Sequence, residues 1–244
     1  MFSLTGLTDI RIVLLGRQYS GKSSAGNTLL TGSGFKVGQR SVQCEVRQGE
    51  VAGRHVTVVD SPGWYYNSPL QDTLEMDKLE IQNSVCLCPP GPHAALLTVP
   101  LHKAFTKQHR VALEEHMSLL SQRVWSHTIV LFTYGDRLGD RSIEQLIEAG
   151  GEDLRWLLDK CGNRYHVFNN EKRDDTQVTQ LLEKIDQMVS GNRGGHLEVD
   201  GDVAEKLSER KRNIEEHGLT LMTKTHRQRA ALKAMFEGEH YKTN

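Results

Sequence analysis

The chain has 244 residues, 37% of them hydrophobic and 25% charged, with a formal net charge of −1; this suits one α/β domain with at most a short appendage, and is tight for two full domains. The near-neutral balance leaves no electrostatic footprint for nucleic acid, and neither a secretory leader nor a run of roughly 20 apolar residues that could span a bilayer is visible. Cys44, Cys86, Cys88 and Cys161 lack the C-x-x-C spacing of a zinc site, and the eleven histidines are scattered, so the expectation is a reduced, cytoplasmic protein without a cysteine–histidine metal site.

In chain order, IRIVLL (residues 10–15) is an apolar run of strand length ending at a glycine, and residues 22–30 then lose β-branched character and read as a helix. HVTVVD (55–60), closed by SPGW, is a second strand, followed by AALLTV (94–99), HTIVLFT (127–133) and YHVFNN (165–170). Between them Leu113, Met117 and Leu120 share one helical face. Val178, Leu181, Leu182, Ile185 and Val189 keep the i, i+3, i+4, i+7 rhythm. Alternating helices and near-continuous apolar strands predict an α/β fold, a mostly parallel sheet with helices on both faces. The expected boundaries are a domain over 1–190, a glycine-containing polar linker over 191–202 and a charged helical extension over 203–244. In that extension Val203, Leu207, Ile214 and Leu221 form an apolar stripe that either docks on the main domain or recruits a partner helix.

Three short segments carry chemistry. Gly16, Gly21, Lys22 and Ser23 satisfy G-x-x-x-x-G-K-[ST] directly after a strand and at the opening of a helix. Such a loop turns successive backbone N–H groups toward phosphate oxygens, the lysine supplies a point charge, the serine hydroxyl ligates Mg²⁺, and the helix adds its positive end. DSPG (60–63) ends the second strand, where Asp60 can hold Mg²⁺ through water and the Gly63 N–H can meet a γ-phosphate; alone it would be a turn. TYGD (133–136) ends a late strand. Guanine presents N1–H and N2–H₂ as adjacent donors that one carboxylate accepts, which makes Asp136 the candidate base selector; the competing reading of a bare T-x-x-D is a cap or turn.

Together with LCPPGPHAALLTVPL (87–101), AFTKQHRVALEEHMSLLSQRVWSHTIVLFT (104–133) and CGNRYHVFNN (161–170), these segments resemble the AIG1-type family, the GTPases of immunity-associated proteins, over about residues 10–189, and most of all its fish forms. The resemblance implies a P-loop GTPase fold in which Gly16, Arg17, Gln18, Tyr19, Ser20, Gly21, Lys22, Ser23 and Ser24 cradle the phosphates. Ser23, Ser41 and Asp60 would serve Mg²⁺, and Gly63 the second switch. Tyr134, Gly135 and Asp136, with Asn169 or Asn170, would hold the guanine of GTP or GDP. It also implies GTP-dependent self-association, with itself or other family members, and a basic residue acting across the interface; Lys103 occupies that position, its bland reading being a surface lysine.

Four departures from the family pattern matter. Tyr19 stands where glycine is frequent, Ser41 replaces the usual first-switch threonine, and Tyr134-Gly135 replaces a basic pair. Trp64 stands where many small GTPases carry a water-orienting glutamine, and an indole cannot both accept from and donate to water, so slow hydrolysis is expected. Besides a self-associating, weakly hydrolytic switch, a P-loop ATPase or nucleotide kinase fits the loop, and a nucleotide-binding scaffold without significant hydrolysis fits the remainder.

Overall fold

A computed structural model describes residues 6–32, 34–66, 68–169, 175–199 and 201–240, the last of these by backbone alone at 201 and 231–240. The strands are β1 (Asp9–Leu15), β2 (Glu45–Val51), β3 (Arg54–Asp60), β4 (Ala94–Pro100), β5 (Thr128–Thr133) and β6 (Tyr165–Val167). The helices are α1 (Lys22–Leu29), α2 (Glu75–Cys86), α3 (Lys107–Met117), α4 (Ile143–Ala149), α5 (Gly151–Lys160), α6 (Asp175–Gly191) and α7 (Gly201–His240). They build one six-stranded sheet in the order β2-β3-β1-β4-β5-β6, parallel except for β2, which runs antiparallel to β3.

The apolar strands are continuous because both faces of the sheet are covered. Ile10, Ile12 and Leu14 pack with Ala25 and Leu29 of α1 and with Val178, Leu181, Leu182 and Ile185 of α6. Val13 and Leu15 face the opposite layer, where Ile81 and Val85 of α2, Leu113 and Met117 of α3, and Leu154, Leu157 and Leu158 of α5 meet Leu97, Val130 and Phe132. The expected α/β architecture is therefore the one observed. β2 is an addition to the sequence reading: at the sheet edge, its Arg47, Gln48 and Glu50 face solvent and dilute the apolar signal.

By contact density the chain divides into residues 1–200 and 201–244. Within the stretch expected as linker, Leu197 is buried and its N–H donates to the Pro92 carbonyl (2.9 Å). The second unit is α7, a forty-residue helix rich in charged residues. Among the described residues no helix is long and apolar enough to cross a membrane.

Candidate functional site

Parallel register levels the C-terminal ends of the strands. Leu14 pairs with Asp60 and Leu96, Leu15 with Leu97, Pro100 with Thr133, and Phe132 with Val167. The loop after β1, the segment after β3 and the turns after β5 and β6 consequently meet on one edge, the crevice where open α/β sheets bind ligands.

The loop from Gly16 to α1 is fastened from two neighbouring strands. Ser20 Oγ donates to the Arg17 carbonyl (2.8 Å) and lies 2.5 Å from Thr98 Oγ1 of β4, while Thr133 Oγ1 of β5 donates to the Ser20 carbonyl (2.6 Å). Thr98 was not singled out by sequence reasoning; a threonine at the end of a buried strand is a faint signal. Lys22 is buried, and its ammonium donates to the carbonyls of Gly16 (3.3 Å) and Arg17 (3.1 Å). Burial lowers its pKa to about 8, with Asp60 opposing the shift and Arg17 reinforcing it. No side chain caps α1 at Gly21, and its first turn holds no acidic residue, so the N–H groups of Lys22, Ser23 and Ser24 keep the electropositive character of a helix start.

Tyr19 takes the left-handed backbone (φ 58°) that a glycine would adopt freely, with its ring 65% exposed. The tyrosine thus strains the loop without obstructing it from within. Gln18 N–H donates to the Trp64 carbonyl (2.7 Å) in a short parallel bridge between Arg17 and Trp64. Gly63 is thereby pressed onto the loop: a Cβ there would lie 2.6 Å from both Gln18 N and Lys22 Nζ, so only glycine fits.

Beside Lys22, Ser23 Oγ donates to Asp60 Oδ2 (2.5 Å), and Asp60 Oδ1 is buried with no hydrogen-bond partner among the described residues. Burial raises the Asp60 pKa, against the Lys22 charge and the Ser23 hydrogen bond. An orphaned carboxylate oxygen next to a hydroxyl is a hard-oxygen donor set of the kind Mg²⁺ takes, so these residues fit the ion. Ser41 lines the same cleft of about 110 Å³ with Lys22, Ser23, Gly63 and Tyr134. Its neighbour Arg40 pairs with Asp77 of α2, and the Cys44 N–H donates to Glu80 Oε2 (2.9 Å), tying the Ser41 segment to that helix.

A second cluster adjoins through Tyr134, another left-handed residue (φ 61°) set edge-on to His102. Gly135 N–H donates to the Phe168 carbonyl (2.9 Å), and a Cβ at Gly135 would stand 2.9 Å from that oxygen. Asp136 follows, paired among the described residues with the exposed Arg137 (3.2 Å), while Asn169 is clasped through its backbone by Gln177 (3.0 and 3.2 Å). Asn170 lies outside the described residues. Lys103 is exposed and lines a neighbouring pocket, not the Lys22 cleft. Trp64 is buried, its indole stacked on His116 (centroids 4.8 Å apart). There the His116 Nδ1–H donates to the Ala112 carbonyl (2.6 Å) and Nε2 accepts from the Thr73 hydroxyl (2.7 Å).

The chain is similar to human GTPase IMAP family member 8, 29% identical over 198 residues covering 78% of this chain and 28% of that protein. It spans between 28% and 63% of the length of the first curated relatives it matches. Toc33 from Arabidopsis thaliana in complex with GDP and Mg²⁺ shares the fold, with a TM-score of 0.62 at 14% identity over 80% of this chain and 89% of that one. A further neighbour has a TM-score of 0.59 at 14% identity, over 75% and 84% of the two chains. It belongs to work on the chloroplast translocon components atToc33 and psToc159 that describes dimerization as important for their GTPase activity. The AIG1 family model matches residues 10–218, which is most of the sequence, and the chain therefore belongs to the AIG1 family.

Proposed function

We propose that this chain is a guanine-nucleotide-binding switch that binds GTP or GDP with Mg²⁺, self-associates in its GTP form and hydrolyses GTP slowly. The observation that carries the reading is the buried, unpartnered Oδ1 of Asp60 set beside Ser23 and Lys22 at the start of an uncapped helix. A carboxylate oxygen left without a partner at such a cost favours a site built for a cation and a phosphate together. Residues 1–190 would form the nucleotide-binding domain and 203–244 a helical extension, in a cytoplasmic protein.

In this reading Lys22 exchanges its bonds to the Gly16 and Arg17 carbonyls for phosphate oxygens, while the first N–H groups of α1 donate to the remaining oxygens. Ser23, Asp60 and Ser41 would hold the magnesium ion, which when bound neutralises charge developing between the β- and γ-phosphates. Gly63, packed on the loop, reports the γ-phosphate through its N–H, and its release would free the segment leading to Tyr65 and Tyr66. Asp136 accepts the two guanine donors, with Asn169 or Asn170 beside it, displacing the exposed Arg137.

Trp64 bears on the rate. Its indole has no acceptor and is held against His116, so a lone protomer lacks a side chain at that position to orient water. Exposed Tyr19, Val37, Val42 and Tyr65 provide apolar area for association of two protomers, which would bring Lys103 to the partner's nucleotide as a point charge. The same burial of Trp64 favours the second reading, a nucleotide-binding module without significant hydrolysis. Specific activity per protomer separates the two: it should rise with protein concentration until a GTP-dependent dimer saturates. A rate flat over about two decades of concentration, with no dimer on a non-hydrolysable analogue, would leave the module.

A further inference from the structure

Next to the nucleotide cleft, a separate small pocket of about 30 Å³ lies between α3 and the chain after Gly63. Among the described residues, two hydrogen-bond donors there are buried without partners. The Thr106 N–H donates to His109 Nδ1 (2.9 Å), so Nδ1 is the acceptor and the neutral ring carries its proton on Nε2. His109 is 7% exposed, and that Nε2 has no partner. Arg17 Nη1 makes one long contact to the Gln18 carbonyl (3.5 Å), and Nη2 is buried and unpartnered.

The two groups sit on the same aromatic wall. Measured from the Tyr66 ring centroid, the Arg17 guanidinium carbon is at 4.7 Å, the Lys103 ammonium at 5.1 Å and the His109 ring at 4.2 Å. Phe105 and Leu113 add apolar lining. Among the described residues no carboxylate pairs with Arg17 or Lys103.

Donors without acceptors and cations without a counter-charge define the missing group by complementarity. A water molecule could accept from both donors but would leave the charge unbalanced. A planar carboxylate presents two acceptor oxygens and one negative charge, and its short head suits so small a space. We propose that this pocket binds a small carboxylate, one oxygen on Arg17 Nη2 and the other on His109 Nε2, with the Lys103 ammonium at its mouth. Since Arg17 is bridged to Trp64, beside Gly63, the occupant would couple to the nucleotide cleft, and the coupling would run equally in both directions.

The test titrates the full chain with sodium acetate at constant ionic strength, following the histidine side-chain ¹⁵N resonances, with chloride and inorganic phosphate as controls. The expected result is a one-site, saturable shift of the His109 resonance with a Kd on the order of a millimolar, as befits a ligand of few atoms. His109→Gln keeps a side-chain acceptor for the Thr106 N–H, as glutamine does in a capping box. It should weaken carboxylate binding by about tenfold or more, with its melting curve establishing the fold. Should that variant fail to fold, the wild-type resonance decides alone. An unsaturated drift, an equal response to chloride or phosphate, or unchanged affinity in folded His109→Gln would overturn the proposal.

Discussion

Nucleotide binding should take up protons at mildly alkaline pH. Lys22 titrates at about 8 because burial disfavours its charge. Phosphates placed against the ammonium would lift that value well above 8. Binding is then linked to protonation: between pH 7 and 8.5 the competent fraction of Lys22 falls from about 0.9 to about 0.25, so the Kd for GDP should rise about fourfold. The window stops short of the titration of guanine N1–H, and the β-phosphate is already ionised within it. Calorimetry at pH 8 in buffers of different ionisation enthalpy should report uptake of about half a proton per site. The same shift acts on folding with a definite sign. The unfolded chain, with an ordinary lysine, holds more protons than the native one between about 8 and about 10.4, so stability of the nucleotide-free protein should rise with pH across that window. A GDP affinity independent of pH, with no proton taken up, would refute the placement of Lys22 against phosphate.

Other substitutions probe the remaining parts. Asp136→Asn mismatches guanine and suits xanthine, whose position 2 is an acceptor, so competitive titration should show preference passing from GTP to xanthosine triphosphate; retained guanine preference would put the selecting carboxylate elsewhere. Ser23→Ala should weaken Mg²⁺-supported GTP binding by about tenfold or more while leaving Mg²⁺-free binding nearly unchanged, read by titration with and without chelator. Tyr19→Gly relieves a left-handed backbone worth about 1–2 kcal/mol but adds about 0.5–1 kcal/mol of chain entropy on unfolding; a small net gain in urea stability is expected, and a clear loss would contradict the strain. Trp64→Ala empties the stack on His116 and should cost about 3–5 kcal/mol in the same assay.

The central strands were legible because burial on both faces leaves them apolar at nearly every position, the exceptions being Arg11 in IRIVLL and Thr98 in AALLTV. β2 was not, because an edge strand needs only one apolar face, and the glycine and charges of EVRQGEV mask even that. The loop, DSPG and TYGD are contiguous and could be read directly; how they meet depends on register, Leu14 opposite Asp60 and Pro100 opposite Thr133. Tyr19 looked anomalous against the family pattern, and the structure shows why it is tolerated: the backbone keeps the glycine conformation while the ring leaves the loop. Thr98 holding the loop, Trp64 turning inward onto His116, and Arg17 and His109 converging on Tyr66 are tertiary facts. Their partners lie tens of residues away, and no local pattern announces them.

Equilibrium titration of the full chain with GTP, GDP and ATP in the presence of Mg²⁺ tests the central claim most directly. The account predicts saturable one-to-one binding of both guanine nucleotides, lost in Lys22→Ala, with ATP weaker by about two orders of magnitude or more because a site built to accept two base donors leaves its carboxylate unpaired against adenine. Equal affinity for ATP, or guanine-nucleotide binding undiminished in Lys22→Ala, would contradict it.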